Sequence, residues 1–301
     1  MFLDGVGLGP GDADRNPFAS VPTPTLDAVA GGTFVAPRTG LRAVGRFERL
    51  DATLGVAGLP QSATGQSALL TGRNAASAMD GHYGPWPGPT LKRLLDEGQL
   101  FGWAAERFGL DAVAWGGAYP PGFFDALERG RLRLNAPAYA ARSAGVLLPG
   151  EAAYRDGSAV AADLDGAWFA SRGIEPPGGF VPGPAGAERA GERLATAAAG
   201  KAFAFLDVWL TDRIGHRGTL DEGRDLVRRL DAFVAGVLRA RDPTTTVVIT
   251  SDHGNVEDLA HRRHTRADVP LIVVGPGEPA FDGAASILDV APAVRAVWEP
   301  S

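Results

Sequence analysis

The chain of 301 residues can bury a substantial core, and its 45% hydrophobic and 21% charged residues are typical of a globular protein. Its net charge of −6 and the lack of a dense basic run argue against a nucleic-acid surface, and no apolar stretch approaches the roughly 18 residues of a membrane span. Cysteine is absent, which excludes disulfides and thiolate metal sites, so any metal must be held by oxygen and imidazole ligands.

The first predicted strand, Phe2-Leu3, ends at Asp4. A strand usually has about five or six residues, so either this one is short or the gene model begins late. Neither a basic nor a long apolar region opens the chain, so no signal peptide is visible and we expect a cytoplasmic protein. The glycine-rich segment 4–11 lacks the dinucleotide-binding pattern, because Pro10 or Asp12 occupies the place of the third glycine.

Ser62 stands just before the next helical pattern, in the segment 58–72. A serine at this position commonly caps a helix. It could also present an alkoxide at the helix N-terminus, where backbone N–H groups favour a phosphate or sulfate. Thr64 is the alternative hydroxyl in the same turn.

Apolar runs that predict strands alternate with amphipathic patterns that predict helices along the rest of the chain. The predicted helices include 89–97 and 220–240, and the further predicted strands are 112–115, 202–206, 246–249 and 271–274. This alternation is typical of a parallel sheet covered on both faces, so we expect an α/β fold. We interpret the Pro-, Gly- and Ala-rich region at about 120–200 as an insertion or small cap within one domain of residues 1–301.

Asp212 and His216 follow the strand predicted at 202–206 and are four residues apart. On a helical turn both side chains project from one face, so a carboxylate and an imidazole could close on one ion. The alternative is a surface Asp–His pair that needs no metal.

Three of the five histidines, His253, His261 and His264, come shortly after the strand predicted at 246–249. Open α/β sheets place their chemistry past the carboxyl ends of such strands, so Asp252 and His253 stand where a metal site is expected. Adjacent carboxylate and imidazole ligands suit Zn²⁺ or Mn²⁺. A polar turn with one incidental histidine is the alternative.

Five segments, taken in order, resemble the metalloenzyme core of the alkaline phosphatase superfamily, most closely the branch of cofactor-independent phosphoglycerate mutase and phosphopentomutase. The segments are 2–9, 60–65 with the Thr-Gly-Arg at 71–73, 212–216, 250–255 and 264–270. The likeness covers roughly residues 1–118 and 200–298. It implies a three-layer α/β/α sandwich with a mostly parallel central sheet, as in alkaline phosphatase.

The resemblance also implies two divalent metal ions, with Mn²⁺ or Zn²⁺ favoured and Mg²⁺ as a further candidate. The implied ligands are Asp4, Ser62, Asp252 and His253 for one ion, and Asp212, His216 and His264 for the other. His261 has no counterpart among these ligands and is interpreted as a loop histidine. Gln66 stands where both mutases have a histidine after glycine.

By this resemblance Ser62 is the nucleophile and forms a phosphoserine. The long phosphotransferase domain of phosphoglycerate mutase has no counterpart between Ser62 and Asp212. We therefore expect a hydrolase of a small-molecule phosphomonoester, with a phosphomutase or a non-catalytic metal-binding relative as alternatives. A sulfatase is disfavoured because the Cys/Ser-x-Pro-x-Arg motif is missing around Ser62. Neither a nucleic acid nor a membrane is expected as a partner, and the sequence does not indicate an oligomeric state.

Overall fold

The computed structural model describes residues 1–299, which form a mixed arrangement of strands and helices. The strands are β1 (Phe2–Leu3), β2 (Gly40–Leu41), β3 (Arg46–Leu50), β4 (Val113–Trp115), β5 (Gly117–Ala118), β6 (Val160–Ala161), β7 (Phe203–Phe205), β8 (Asp207–Val208), β9 (Val247–Ser251) and β10 (Val269–Val274). The helices are α1 (Pro17–Ser20), α2 (Pro24–Ala30), α3 (Ser62–Thr71), α4 (Ala75–Ala78), α5 (Pro89–Asp96), α6 (Leu100–Phe108), α7 (Phe123–Glu128), α8 (Ala136–Ser143), α9 (Glu151–Asp156), α10 (Ala167–Ala170), α11 (Gly183–Ala198), α12 (Leu210–Arg217), α13 (Leu220–Ala240) and α14 (Val290–Ala296). Three 3₁₀-helices span Leu110–Ala112, Glu278–Phe281 and Ile287–Asp289.

Six strands form the central sheet in the order β2-β3-β10-β9-β1-β8. β1 lies between β9 and β8 and is parallel to both, with Phe2 opposite Thr250 and Asp207. β10 is antiparallel to β9 and to β3, and β2 is antiparallel to β3. Thus β1, β3, β8 and β9 run in one direction and β2 and β10 in the other. The sheet is mixed: two of its five pairings are parallel and three are antiparallel.

Two short parallel pairs, β4 with β7 and β5 with β6, lie beside this sheet. β7 leads through a single residue into β8, and the Gly116 N–H donates to the Phe205 carbonyl at 2.7 Å. The strand predicted at 202–206 corresponds to β7, and the chain changes its pairing partner between β7 and β8.

Helices cover both faces of the sheet, as the sequence predicts. Successive residues of a strand point to opposite faces, so Phe2 packs into one hydrophobic cluster and Leu3 into the other. The cluster around Phe2 contains apolar residues of α3, α5, α6, α8 and α14. The cluster around Leu3 contains those of α2, α11, α12 and α13. The result is an α/β protein with three layers, and the predicted fold class is confirmed.

Helix α13 has the predicted bounds because its ends and its periodicity agree. The Thr219 hydroxyl accepts from the Glu222 N–H at 3.3 Å, and the Glu222 carboxylate accepts from the Thr219 N–H at 2.7 Å. This capping box satisfies two N–H groups that the first turn leaves free. Apolar residues three or four apart then form one buried stripe: Leu226, Leu230, Phe233 and Val237.

The region at about 120–200 contains α7 to α11 and β6. Within it, α8 packs on α3, and α11 lies along α13. Its interpretation as an insertion within one domain stays a prediction. Among residues 1–299, no helix combines the length and the apolar character that crossing a lipid bilayer requires.

A largely apolar cavity of about 870 Å³ lies at the amino ends of the central strands. Its lining includes Phe203 from β7 and Val247 and Val248 from β9, but none of the seven predicted ligands. Those ligands follow the carboxyl ends of the same strands. The large cavity and the candidate site are therefore at opposite edges of the sheet.

Candidate metal centre

The seven predicted ligands come from five separate parts of the chain and converge at one edge of the sheet. Asp4 directly follows β1, Asp212 and His216 lie on α12 after β8, Asp252 and His253 directly follow β9, Ser62 is the first residue of α3, and His264 lies in the loop before β10. The carboxyl ends of parallel strands meet at the same edge, which explains why residues so distant in sequence become neighbours.

Three of these side chains surround Nε2 of a fourth, His253. This nitrogen lies 3.0 Å from Ser62 Oγ, 3.5 Å from Asp4 Oδ1 and 3.4 Å from Asp252 Oδ2. Asp4 Oδ1 and Asp252 Oδ2 are buried and have no hydrogen-bond partner within residues 1–299. Buried carboxylate oxygens without partners are costly unless a cation compensates them. These residues therefore fit a divalent metal ion.

The other three side chains form a second cluster. Nε2 of His264 lies 3.0 Å from Nε2 of His216. Asp212 lies between them, with Oδ1 at 3.4 Å from His264 Nε2 and Oδ2 at 3.4 Å from His216 Nε2. Nδ1 of His264 lies 2.7 Å from the Pro60 carbonyl, and Nδ1 of His216 lies 3.1 Å from the Arg262 carbonyl. A carbonyl only accepts, so each Nδ1 carries a proton, and each Nε2 faces Asp212 as the nitrogen that a metal ion would use.

The two clusters are adjacent. The rings of His253 and His264 stack with their centroids 3.8 Å apart. Ligand atoms of Asp4, Asp252 and His253 all lie within 4.8 Å of one another, and the same holds for Asp212, His253 and His264. His253 is thus within reach of both predicted positions. The arrangement suits a pair of neighbouring cations.

Burial sets the protonation of the first cluster. It raises the pKa of Asp252 to about 8, and, together with repulsion from that carboxylate, it raises the pKa of Asp4 well above its usual range. Burial also lowers the pKa of His253 to about 3, which leaves a neutral imidazole with a free lone pair. Metal binding would have to displace protons from the carboxyl groups, so metal affinity should rise with pH.

Asp212 is the anionic member of the second cluster. Burial alone would raise its pKa, but the hydrogen bond with His264, the nearby His253 and the amide of Asn255 outweigh it and lower the pKa to about 2. The Asn255 Nδ2 donates to Asp212 Oδ1 at 2.6 Å. A permanent negative charge beside two imidazole nitrogens favours cation binding.

Ser62, and not Thr64, is the hydroxyl that faces the ligands. The Thr64 hydroxyl donates to the Gln61 carbonyl at 3.0 Å, one turn back. A Cβ at Gly65 would lie 2.9 Å from the Asp252 carbonyl oxygen, so this glycine lets α3 approach the loop after β9.

His261 is exposed, lies 3.7 Å from an Asp258 oxygen and belongs to neither cluster.

Three residues support the proposed ligands although their sequence context assigned them no such contact: Gln66, Asn255 and Glu257. The Gln66 Nε2 donates to Asp4 Oδ2 at 3.1 Å, and Asn255 holds Asp212 as described. Both stand next to predicted ligand motifs, which was the available signal. Their partners lie 62 and 43 positions away, and sequence spacing does not show such contacts.

Glu257 explains the glycine-rich start of the chain. Its buried Oε2 accepts from the N–H groups of Gly7 at 2.9 Å and Asn255 at 2.7 Å. A Cβ at Gly7 would lie 2.5 Å from Glu257 Oε1, and one at Gly9 would lie 2.5 Å from Glu257 Cγ. These glycines therefore make room for a buried carboxylate that joins the loops after β1 and β9.

Comparison with known proteins agrees with this geometry. Residues 185–294 match the model of the Metalloenzyme superfamily. A 2,3-bisphosphoglycerate-independent phosphoglycerate mutase from Methylobacillus flagellatus is 34% identical over 95 residues, which cover 29% of this chain and 18% of the mutase. The mutase of the same name from Rhodopirellula baltica is 37% identical over 97 residues, with 29% and 18% covered. The matched segment thus spans less than a fifth of the length of these relatives.

The fold has a solved counterpart. The PH0037 protein from Pyrococcus horikoshii superposes with a TM-score of 0.52 at 13% identity, over 98% of this chain and 96% of that one. This similarity concerns the fold. The family match covers the part of the chain that carries Asp212, His216, Asp252, His253 and His264. This part of the chain matches the model of the Metalloenzyme superfamily, and the resemblance inferred from its motifs is confirmed.

Proposed function

We propose that this protein is a two-metal phosphoryl-transfer enzyme that hydrolyses a small-molecule phosphomonoester through Ser62. One observation carries the proposal: Ser62 Oγ lies 3.0 Å from His253 Nε2, which itself faces the unpartnered oxygens of Asp4 and Asp252. A hydroxyl beside such a ligand set can be activated as a nucleophile. The second cluster lies close enough to share the transferred phosphoryl group.

The two clusters would hold the two cations. The proposed ligands are Asp4, Ser62, Asp252 and His253 for one, and Asp212, His216 and His264 for the other. Bound divalent cations would neutralise charge on a phosphoryl group and lower the pKa of a ligating hydroxyl. Mixed imidazole and carboxylate ligands favour Zn²⁺ or Mn²⁺ over Mg²⁺.

The chain itself supplies the nucleophile and part of the phosphate site. Ser62 is the first residue of α3, where N–H groups and the helix dipole favour an anion. In the reaction, Ser62 Oγ forms a bond to phosphorus while the ester oxygen leaves and takes up the proton that the hydroxyl gives up. Water then attacks the phosphoserine, which releases inorganic phosphate and restores the hydroxyl.

A phosphomutase is the second candidate, because the relatives that match over residues of this chain are named as mutases. The hydrolase is favoured because no long phosphotransferase segment separates Ser62 from Asp212. A mutase must also retain its dephosphorylated intermediate in an enclosed site. A non-catalytic metal-binding relative is the third candidate, since Gln66 replaces the histidine of the mutases.

The test is a panel of phosphate and sulfate esters offered to protein loaded with Mn²⁺ or Zn²⁺, with release of inorganic phosphate as the readout. Ser62→Ala should lower kcat by about a thousandfold or more, because it removes the nucleophile. Ser67→Ala is the matched control. Its buried hydroxyl lies on the same helix but donates to the Ala63 carbonyl, so turnover should be retained.

Absence of turnover for every ester, or equal turnover by Ser62→Ala, would contradict the proposal. Transfer of the phosphoryl group within the substrate, without free phosphate, would indicate the mutase. A full complement of two metals with no phosphoserine after exposure to substrate would indicate the non-catalytic relative.

A further inference from the structure

Gln66 connects a proposed metal ligand with a helix of the middle region. The side chain is buried, with 1% exposed, on the first turns of α3. Its Nε2 donates to Asp4 Oδ2 at 3.1 Å, and its Oε1 accepts from the Ala136 N–H, the first residue of α8, at 3.3 Å. The Ala136 N–H can only donate, so it must face the oxygen of the Gln66 side chain. The NH₂ group of Gln66 therefore faces Asp4.

The two oxygens of Asp4 consequently differ. Oδ2 receives the Gln66 hydrogen bond, whereas Oδ1 has no partner within residues 1–299 and points toward His253 Nε2 at 3.5 Å. Asp252 is arranged in the same way. Its Oδ1 accepts from the Gly5 N–H at 3.3 Å, and its Oδ2 faces His253 without a partner. Each carboxylate offers one oxygen to the space between them.

We propose that Gln66 is a positioning residue of the metal centre, which holds Asp4 Oδ2 so that Asp4 binds its cation through Oδ1 alone. Because Gln66 also binds the start of α8, it makes the middle region part of the metal centre's support. The inference rests on the metal centre of the proposed function, but not on the reaction or its substrate.

The physical reason is the geometry that a hydrogen-bonded carboxylate imposes. A carboxylate without a donor on its second oxygen can rotate and chelate a cation with both oxygens. A donor on one oxygen fixes the rotation and leaves the other as the ligand. Loss of such a donor from a metal centre typically lowers metal affinity about 10- to 100-fold.

The test uses the full chain freed of metal and titrated with Zn²⁺ alone by calorimetry. Gln66→Met keeps the approximate size of the side chain and removes both hydrogen bonds. It should weaken one of the two binding events about 10- to 100-fold and leave the other unchanged. Gln66→Leu is a second apolar replacement and should behave in the same way.

A spectroscopic readout separates positioning from a loss of packing. Titration with Co²⁺ in place of Zn²⁺ gives visible absorption that weakens as the coordination number rises. In Gln66→Met, Asp4 can bind through both oxygens, so the absorption per cobalt should fall relative to the wild type. A purely structural contact would leave the spectrum of the bound cobalt unchanged.

Gln99→Met is the matched control. Gln99 is also a buried glutamine, with 3% exposed, and it also donates to α8, at the Ala140 carbonyl. It touches no proposed ligand, so both binding events and the cobalt spectrum should remain as in the wild type. Equal weakening by Gln66→Met and Gln99→Met, or no weakening and no spectral change in Gln66→Met and Gln66→Leu, would overturn the inference.

Failure of the proposed function has a different signature. Wild-type protein that binds two cations and shows the Gln66 effect, yet hydrolyses no ester, would refute the hydrolase and support the positioning role. Wild-type protein that binds no cation would refute both.

Discussion

Asp207 is a buried carboxyl group that is not among the proposed ligands. Its Oδ2 accepts from Asn135 Nδ2 at 2.7 Å, whereas its Oδ1 has no partner within residues 1–299. Burial raises its pKa to about 6, and the Asn135 hydrogen bond compensates only in part. At neutral pH the folded protein therefore carries a poorly solvated charge at this residue, which lowers its stability.

This charge should make the stability of the folded protein depend on pH. An unfolded aspartate titrates near 3.8, so below that pH Asp207 is neutral in both states and costs nothing. Between pH 3.8 and about 6 the unfolded chain loses this proton while the folded protein keeps it, so the free energy of unfolding falls as the pH rises. Above about 6 the folded protein carries the buried charge, and the total loss is about 3 kcal/mol. Asp207→Asn removes this titration. Relative to the variant, wild-type protein should lose about 3 kcal/mol between about pH 4 and pH 7.

Urea unfolding with a chelator present at each pH measures this difference without a contribution from bound metal. Asp125→Asn, at an exposed position on α7, controls for loss of a carboxylate elsewhere. A constant difference between wild-type protein and Asp207→Asn over the whole pH range would refute the prediction.

Among the helices, α13 depends on its first turn. The capping box of Thr219 and Glu222 begins the helix, and the helix then packs along α11. Thr219→Ala removes the hydroxyl that accepts from the Glu222 N–H. We expect the free energy of unfolding to fall by about 0.5–2 kcal/mol, as for other helix caps, measured by urea unfolding.

Thr196→Ala on α11 provides the comparison. The Thr196 hydroxyl donates to the Glu192 carbonyl within the helix, so it satisfies no free N–H group and its removal should change stability by less than about 0.5 kcal/mol. Equal losses in the two variants would show that the cap has no special role.

A helix with a continuous apolar period could be predicted from the sequence. Short strands that form only because a neighbouring strand pairs with them could not. Helix α13 has both a cap and an apolar period of three to four residues, so its bounds follow from sequence alone. Strand β3 reads Arg-Phe-Glu-Arg-Leu, and its three charged residues hide it from a search for apolar runs. Strands β2, β5 and β6 have only two residues each and exist because a neighbouring strand pairs with them.

The candidate site shows the same division. Asp4, Asp252 and His253 come at or shortly after the ends of predicted strands, so sheet topology alone brings them together. Gln66 could not be assigned from sequence, because its position beside Asp4 depends on how α3 and α8 pack on the sheet. Local sequence patterns carry no information about such packing.

At the scale of the whole molecule, the proposed cations would link segments from both ends of the chain. Their ligands extend from Asp4 to His264, so an unfolded chain cannot keep them together. A cation that binds only the folded protein stabilises it by about 2.7 kcal/mol per site at a hundredfold excess over Kd. Saturating Zn²⁺ or Mn²⁺ should therefore raise Tm clearly, and a chelator should reverse the increase, as calorimetry can measure.

Two variants make this test specific. His264→Ala removes a proposed ligand and should reduce the increase in Tm. His261→Ala removes an exposed histidine of the same loop and should keep it. An unchanged Tm in saturating metal, or equal behaviour of the two variants, would be evidence against the metal centre.

The loop after β1 has a consequence for how a substrate can enter. Its four successive amides all donate within the protein: Gly5 to Asp252, Val6 to Ser251 Oγ, Gly7 to Glu257 and Leu8 to the Asp268 carbonyl. In other proteins the amides of a glycine-rich loop can bind an anion. In this loop the amides already donate hydrogen bonds within the protein. Under the proposed function, the phosphate of a substrate would have to be bound by donors other than these amides, such as the N–H groups at the start of α3.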